Sequence, residues 1–380
     1  PEEEANRLGK QYIDQALALE PELPEGLAAL GFWYQTTPPA TSERMEQSIE
    51  LLRRSLALDP VPIDTSHWLG RGLQFSGYEE EAQELLESMV ERDPFYWPAV
   101  SNLVWLYARL GRLPEAHDLN DRTMRYRPEL PFRQKAMLFF MEGEYARALP
   151  LAMEVWSERQ DPLVFGSVAA SHFGLAEIET VATLENAPDG GLKAVALTLL
   201  GRPEEGRMVA QTAFDDRGTP WPMVNVYVLS GQYEKAVRFV ESTWSNLDVF
   251  MGEFKPVGGQ GAANWIKLAL AYRETGSQEA FDTLMTAVRT EHDRQQAHGF
   301  DNRFLDVAEA EYWALAGNEG QALAYLQRAV NRGYSILPRL SQAHPFFRGL
   351  EGNPRYEELQ ARSLAHMNDQ RGMLGLEPLE

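Results

Sequence analysis

Apolar residues recur along most of this chain at spacings of three and four, with polar residues between them. One segment carries Leu69 and Leu73, and the next segment carries Ala82, Leu86 and Met89. Such spacings place the apolar side chains on one face of a helix. The pattern therefore predicts a chain built from pairs of amphipathic α-helices.

A glycine separates the two helices of each predicted pair. Gly77 is followed five residues later by Ala82, and Gly111 is followed at the same interval by Ala116. The same Gly-to-Ala interval recurs at Gly143, Gly231 and Gly317. Glycine adopts the left-handed backbone angles that a helix C-terminus needs, and a small residue at the alanine position lets two helices approach closely.

Prolines mark the ends of the first pairs at a fixed interval. Pro60, Pro94, Pro128 and Pro162 follow one another at steps of 34 residues. Proline cannot continue a helix and biases the residue before it away from helical angles, so each one marks a helix end. A fixed period of this size is typical of a stacked array. The alternative is a non-repetitive helical protein whose prolines fall into step by chance.

The repeat resembles the tetratricopeptide repeat (TPR), a 34-residue helix–turn–helix unit. Its first half is matched by Trp265, Leu268, Ala269 and Tyr272. Its centre and end are matched by Leu69, Gly70, Ala82, Leu86 and Pro94. The resemblance implies an all-α protein, a TPR-type α-α superhelical solenoid of about nine helical hairpins with a C-terminal cap.

The regularity of the repeat divides the chain into four predicted regions. They are a regular array at 1–162, degenerate helical repeats at 163–250, TPR-like hairpins at 251–336 and a cap at 337–380. Residues 1–20 predict a single helix with Tyr12 and Leu19 facing inward. A cap is expected because the last hydrophobic face of a stacked array has to be covered.

The C-terminal segment also resembles the tail of a group of bacterial signalling proteins. In that group, TPR arrays follow a nucleotide cyclase domain, a winged-helix domain or a TolB-like segment. The resemblance is carried by Leu326, Arg328, Ala329, Gly333, His344, Pro345, Phe346, Arg348, Leu350, Asn353, Pro354, Arg355, Tyr356 and Leu359. Because the sequence contains no cyclase or winged-helix segment, the resemblance implies a sensory or scaffolding role only.

Charge narrows the classes of partner. The chain has 35 basic and 56 acidic residues, which gives a formal net charge of −21. This charge disfavours binding to nucleic acid or to anionic lipid, and no apolar run is long enough to span a bilayer. We therefore expect a protein or peptide partner of basic or mixed charge, and a homo-oligomer is an open alternative.

The absence of cysteine excludes disulfides, thiol nucleophiles and thiolate metal sites. It is compatible with a reducing or an oxidising compartment. We expect a soluble protein, located in the cytoplasm rather than in the periplasm.

Few residues suggest chemistry. His292 and His298 lie near acidic residues but do not share a helical face, so we predict a solvated linker or helix end and no metal site. Gly258, Gly259 and Gly261 precede a predicted helix, but the Lys-Ser/Thr pair and the preceding strand of a phosphate loop are missing. We predict a flexible loop there, and no cofactor.

No catalytic residue is predicted. The sequence has no Gly-x-Ser-x-Gly elbow, and its carboxylates are most simply the solvated faces of helices. Carboxylate pairs converge only in space, so an all-α toroid enzyme such as a glycoside hydrolase is an alternative. The short, proline-terminated units favour a protein that is not an enzyme.

The TPR resemblance implies a concave groove, lined mainly by the first helix of each hairpin, that binds a peptide or protein. The family's groove-facing positions correspond here to Phe32, Gln35, His67, Arg71, Gln74, Ser101, Trp105, Ala108, Arg133, Met137, Phe140, Trp221, Asn225 and Val228. Arg71 and Arg133 suit bidentate binding of a carboxylate, although the family's Lys/Asn/Arg clamp is absent. Trp105 either lies in the groove or packs against the next unit.

Overall fold

The structure is a computed structural model that describes residues 2–39, 41–126, 132–159, 162–184, 190–255, 261–335 and 345–379. These residues form 21 α-helices and one short 3₁₀ helix, and none of them belongs to a strand. The prediction of an all-α protein is confirmed. The single helix predicted at the start of the chain is also present.

The α-helices are α1 (Glu2–Leu19), α2 (Pro24–Thr36), α3 (Ser42–Leu58), α4 (Ile63–Phe75), α5 (Glu79–Arg92), α6 (Trp97–Arg109), α7 (Leu113–Tyr126), α8 (Phe132–Glu142), α9 (Tyr145–Arg159), α10 (Pro162–Gly174), α11 (Ile178–Thr183), α12 (Gly191–Leu199), α13 (Pro203–Arg217), α14 (Trp221–Leu229), α15 (Tyr233–Trp244), α16 (Leu247–Glu253), α17 (Gly261–Glu274), α18 (Gln278–Ala297), α19 (Arg303–Leu315), α20 (Glu319–Asn331) and α21 (Pro354–Met373). The 3₁₀ helix is Arg348–Leu350.

Consecutive helices pair into nine hairpins within the described residues. Hairpins 1 to 7 are the successive pairs from α2/α3 to α14/α15, hairpin 8 is α17/α18 and hairpin 9 is α19/α20. The short helix α16 lies between hairpins 7 and 8, and α21 follows hairpin 9. The predicted number of about nine hairpins is confirmed.

The glycine turns form as the sequence predicts. Gly111 has a φ of +74°, and the backbone N–H of Arg112 donates to the carbonyl of Tyr107 at 2.9 Å. This long backbone hydrogen bond is typical of a helix that ends on a left-handed glycine. Ala82 and Ala116 are fully buried, which confirms that the two helices of a hairpin approach closely at this position.

The prolines follow helix ends where the structure describes them. Helix α3 ends just before Pro60, helix α5 ends just before Pro94, and Pro162 is the first residue of α10. Proline at the first helical position is favourable because its missing N–H has no partner in the helix anyway. Pro128 lies outside the described residues.

The first helices of the hairpins line the inner side of the array. Helix α2 packs on α4, α4 on α6, and α6 on α8, whereas successive second helices have no comparable contacts among the described residues. An array curves towards the side on which its helices are closest. The concave surface is therefore built mainly by first helices.

The array completes a superhelical turn, so its later hairpins stack on its earlier ones. The Asn302 side chain donates to the carbonyl of Arg109 at 2.6 Å, and the Tyr145 hydroxyl donates to the carbonyl of Gly333 at 3.2 Å. Near the start of the array, the backbone N–H of Lys255 donates to the Ser42 hydroxyl at 2.9 Å. We call hairpins 1–5 the first coil, and hairpins 7–9 with α21 the second coil.

Each coil has two edges. The turns within hairpins, most of which contain a glycine, form its turn edge, and the segments between successive hairpins form its loop edge. The turn edge of the first coil contacts the loop edge of the second coil, and we call this contact the joint. It includes a buried ionic cluster, in which Arg294 binds Glu79 bidentately at 2.6 and 3.1 Å and binds Glu291 at 2.7 Å.

The C-terminal segment closes the array. Phe346, Leu350, Tyr356 and Leu359 are buried in the same apolar cluster as the helices of hairpins 7–9. Helix α21 then reaches back to the first coil, where Gln370 accepts a hydrogen bond from the backbone N–H of Ala146 at 2.8 Å. His344 lies outside the described residues, and the four predicted region boundaries stay a prediction.

Two expectations about polarity were wrong. The polar stretch predicted to be a solvated linker belongs to α18 as far as Ala297, and Glu291 and His292 are buried in it. Its polar groups are buried because they bind other polar groups at the joint and on α19. In contrast, Tyr12 and Leu19 are exposed, at 66% and 89%, because no described helix packs on that side of α1.

A second buried polar cluster makes stability depend on pH. The Glu309 carboxylate on α19 accepts hydrogen bonds from Arg289 at 2.7 and 2.9 Å and lies 3.3 Å from Nδ1 of His292. Burial alone would raise the pKa of Glu309, but His292 and Arg289 outweigh it and lower this pKa to about 2.

We expect the Glu309→Gln variant to be less stable than the wild type at neutral pH. A carboxyl group whose pKa is lowered by folding stabilises the native state above its unfolded pKa, here 4.5, and loses that effect as the pH falls towards about 2. The difference in free energy of unfolding between the wild type and Glu309→Gln should therefore become smaller as the pH falls from 4.5 towards about 2. Urea unfolding at stepped pH measures it, with Glu84→Gln, an exposed position on α5, as the control. A difference that stays constant with pH would contradict this account.

Candidate functional site

The inner surface of hairpins 1–3 carries an aromatic pair that spans two hairpins. Phe32 on α2 stacks on Trp68 of α4, with ring centroids 4.5 Å apart and ring planes 28° apart. Phe32 is 36% exposed, and Trp68 is half-buried. Accessible aromatic rings supply large contact areas at protein interfaces.

A histidine–asparagine pair links the next two first helices. Nε2 of His67 on α4 lies 2.9 Å from Nδ2 of Asn102 on α6. Burial, followed by the charge of Arg71, lowers the pKa of His67 to about 4. The imidazole is therefore neutral at physiological pH and accepts the hydrogen bond from the Asn102 amide.

Arg71 lies one helical turn from both Trp68 and His67 on α4. Its side chain is half-buried, and burial lowers its pKa without any opposing contribution from a carboxylate. Among the described residues, no acidic side chain forms an ion pair with Arg71, although the chain contains 56 acidic residues. A guanidinium partly removed from water and without an anion suits a carboxylate or phosphate group of a ligand.

Two further groove positions lie on α6 and α8. Trp105 and Met137 are half-buried and pack against the apolar cluster of the first coil. Trp105 thus combines the two alternatives from the sequence, because it packs inward and keeps part of its ring accessible. The Gln134 amide donates to the Ser101 hydroxyl at 2.5 Å and joins the two helices. The side chain of Arg133 lies outside the described residues.

Several predicted groove residues are used in packing. Gln74 is fully buried, and Gln35 donates from its buried amide to the carbonyl of Trp68 at 2.9 Å. Phe140 faces the joint, where its ring centroid lies 5.7 Å from that of Phe304. Ala108 is also buried. Gln35, Gln74 and Ala108 therefore offer no surface to a partner in this conformation, whereas Phe140 is half-buried.

Trp221, Asn225 and Val228 belong to hairpin 7 in the second coil. Trp221 is half-buried in an aromatic cluster, with its ring centroid 5.5 Å from that of Phe250 and 5.6 Å from that of Trp265. The Asn225 amide donates to the Asn264 side chain at 3.5 Å, and Val228 is buried. These residues contribute to the core of the second coil.

The structure adds Trp68 and Asn102, which the sequence did not single out. Both lie on first helices, beside predicted groove residues, but they do not occupy the repeat positions mapped to the groove. A tryptophan directly after the mapped groove residue His67 was the available signal for Trp68. Asn102 gave no signal that distinguishes it from other surface asparagines.

The described residues give no sign of a metal centre or a membrane segment. No three His, Asp or Glu side chains among them are placed to hold a metal ion. In the same residues, no helix combines the length and apolar character needed to cross a bilayer. Gly258 and Gly259 lie outside the described residues, and Gly261 begins α17.

One family model matches the chain. It is described as "Tetratricopeptide repeat" and covers residues 97–120, which are α6, its glycine turn and the first half of α7. No curated protein has a sequence that matches this chain.

Solved structures with similar folds include three at low identity. A chain of the APC/C hetero-tetramer Cut9-Hcn1 is 14% identical, with a TM-score of 0.45, over 96% of this chain and 60% of the other. A tetratricopeptide repeat protein from Parabacteroides merdae is 10% identical, with a TM-score of 0.33, over 90% and 98%. A human IFIT1 dimer with m7Gppp-AAAA is 13% identical, with a TM-score of 0.44, over 85% and 77%.

This chain therefore spans 60% of the length of the Cut9-Hcn1 chain that it resembles. The family match falls on hairpin 3. Hairpin 3 therefore matches the tetratricopeptide repeat, and other described hairpins share its glycine turn and small residue.

Proposed function

We propose that this TPR protein is a non-catalytic scaffold that binds a peptide or protein partner on the inner surface of hairpins 1–3. TPR arrays in general present such concave surfaces to partners. The observation that supports this location is Arg71, a half-buried cation without an acidic partner among the described residues. It lies beside the partly exposed Phe32–Trp68 pair.

The chemistry of this surface suggests the kind of partner. A carboxylate would pair with Arg71, and an apolar or aromatic side chain would pack on Phe32, Trp68 or Trp105. The net charge of −21 repels a partner that is acidic overall. The best fit is a segment of basic or mixed charge with one acidic group placed next to an apolar residue.

A finer proposal concerns the biological setting. The resemblance of the C-terminal segment to bacterial signalling proteins supports a sensory or scaffolding part of a bacterial signalling or regulatory protein. Its resembling residues Phe346, Leu350, Tyr356 and Leu359 are the ones that cover the apolar cluster of the second coil. The protein would then act by holding a partner, with no chemistry of its own.

We expect the Arg71→Ala variant to bind peptide ligands of the wild type about tenfold more weakly or worse, because each loses a charge-assisted hydrogen bond. An array of short synthetic peptides of random sequence, probed with the fluorescently labelled wild-type chain, first identifies ligands. Titrating the best ligands against the wild type and Arg71→Ala then measures the loss.

Arg122→Ala is the matched control, because Arg122 is exposed on α7 and its one ion pair within the described part of the chain is with Asp118, one turn away at 3.1 Å. It should leave the affinities unchanged. Peptides that bind the inner surface should contain Asp, Glu or a free C-terminal carboxylate beside an apolar residue. Equal binding of the same peptides by the wild type and Arg71→Ala would refute the site.

A further inference from the structure

The joint shows which two surfaces of this fold fit each other. At the turn edge of the first coil, the carbonyl of Gly77 accepts a hydrogen bond from Arg294 at 3.0 Å. Next to it, a Cβ atom added to Gly111 would lie only 2.1 Å from the carbonyl oxygen of Asp301. The loop edge of one coil thus lies directly on the bare glycine turns of the other.

The joint is also apolar. Phe300 and Leu305, from the loop edge of the second coil and the start of α19, are buried in the apolar cluster of the first coil. The Arg109 guanidinium lies 5.1 Å from the centroid of the Phe300 ring. A loop edge therefore docks by burying apolar side chains against a turn edge.

The loop edge of the first coil has apolar side chains but no partner among the described residues. Val61 and Phe95 each lie two residues before a first helix, as Asp301 does in the joint. The exposed apolar side chains along this edge are Leu58 at 49%, Val61 at 77%, Phe95 at 53% and Tyr126 at 68%. Phe95 and Tyr126 contact each other edge to face, 5.5 Å apart, so the patch continues from one loop to the next.

The turn edge of the second coil is open in the same way. Its turn glycines are Gly231, Gly276 and Gly317, with φ of +70°, +80° and +77°. The turn glycines of the joint have similar positive φ values. A Cβ atom added to any of the three would have no described atom within 4 Å beyond its own neighbours. Glycine turns of the same kind accept a loop edge in the joint, whereas no described residue covers these three turns.

We propose that the chain binds a second copy of itself head to tail, with the turn edge of the second coil of one copy on the loop edge of the first coil of the next. Each copy has an uncovered loop edge on its first coil and an uncovered turn edge on its second coil among the described residues. Within one molecule, the joint already consists of a loop edge packed on a turn edge. The contact is heterologous, so it extends into a stack of copies. It lies apart from the inner surface proposed to bind the partner.

Charge sets the conditions for this association. Two copies with a net charge of −21 each repel one another, and added salt screens that repulsion without weakening apolar burial. Association should therefore strengthen from low to moderate ionic strength. An interface dominated by ion pairs would show the opposite salt dependence.

Sedimentation of the full chain tests the proposal with one variant for each edge. Val61→Asp with Phe95→Asp places charges on the loop edge, and Gln278→Arg with Glu319→Arg places long cationic side chains beside the open turns. All four residues are exposed or at the surface of their edge. Met208→Asp, exposed at 63% on α13, is the control outside both edges.

The weight-average mass of the wild type and of Met208→Asp should rise above 43.0 kDa between about 1 µM and about 500 µM. Each edge variant alone should associate at least about tenfold more weakly. An equimolar mixture of the two should form pairs, because one variant keeps an intact turn edge and the other an intact loop edge. Circular dichroism checks that both variants are folded.

Three results would overturn the head-to-tail contact. The wild type could stay at 43.0 kDa over the whole range of concentration and salt. The mixture of folded edge variants could fail to pair although the wild type associates. The turn-edge variant could associate on its own as well as the wild type does, which would indicate a symmetric contact between loop edges.

Discussion

Replacing Arg303 with alanine is expected to lower the free energy of unfolding by about 3–5 kcal/mol and to loosen the contact between the two coils. Arg303 is the first residue of α19, and its side chain is buried in the joint. From this position it reaches polar groups of the first coil.

The expected loss follows from the partners of Arg303. Its Nη1 donates to the Tyr145 hydroxyl at 2.9 Å and to the carbonyl of Gly333 at 3.2 Å, and its Nη2 donates to the carbonyl of Phe140. The guanidinium carbon also lies 4.9 Å from the centroid of the Phe304 ring. Alanine would remove these buried hydrogen bonds, and a hydrogen bond to a charged group contributes about 1.5–3 kcal/mol.

Urea unfolding and small-angle X-ray scattering measure the two parts of this prediction. The variant should have a lower midpoint and a larger radius of gyration, because the coils separate while the hairpins persist. Arg122→Ala should change stability by no more than about 0.5 kcal/mol, as expected for an exposed ion pair. If Arg303→Ala behaves like this control, the joint does not hold the coils together.

The hairpins were predictable from the sequence because they depend on contacts between neighbouring residues. Gly111 and Ala116 were identified from their spacing, and the structure gives the glycine a φ of +74° and buries the alanine. Both features are determined within a single repeat. A period of 34 residues therefore carries enough information to predict the unit and its stacking.

The joint was not predictable in the same way. It depends on the small rotation between successive hairpins, summed over a whole superhelical turn, and no residue pattern encodes that sum. The sequence around His292 therefore predicts a solvated segment. In the structure, Arg294 of this segment binds Glu79, which lies more than 200 residues away in the chain. A polar stretch is buried here because its ionic partners come from a distant part of the chain.

The inner surface was partly predictable. The repeat positions identified His67 and Arg71, which the structure places together, where burial and then the charge of Arg71 lower the pKa of His67. They also selected Gln74, which is buried, because the repeat position alone does not show how tightly α4 packs against its neighbours. The partner-binding role of these residues remains a proposal.

Replacing Gly111 with alanine is expected to lower the free energy of unfolding more than the same change at Gly276. Both glycines follow a first helix with nearly the same φ, +74° and +80°. Alanine in the left-handed region costs about 1–2 kcal/mol at either position. At Gly276 a Cβ atom would meet open space, so this backbone cost is the whole expected effect.

At Gly111 the added methyl group would also collide with the second coil, since its Cβ would lie 2.1 Å from the backbone oxygen of Asp301. Backbone cannot move aside as a side chain can, so overpacking should add about 1–3 kcal/mol or separate the coils. Urea unfolding of the two variants gives the difference. Equal losses would show that the coils do not press together at Gly111.

The joint also predicts how these changes combine. If Gly111→Ala and Arg303→Ala both act by separating the coils, the second substitution has little contact left to disrupt. The double variant should then lose less free energy of unfolding than the sum of the losses of the two single variants. Gly276→Ala lies outside the joint, so its loss should add fully to that of Arg303→Ala. Additive losses for both pairs would mean that Gly111 and Arg303 stabilise the protein independently, and not through one contact between the coils.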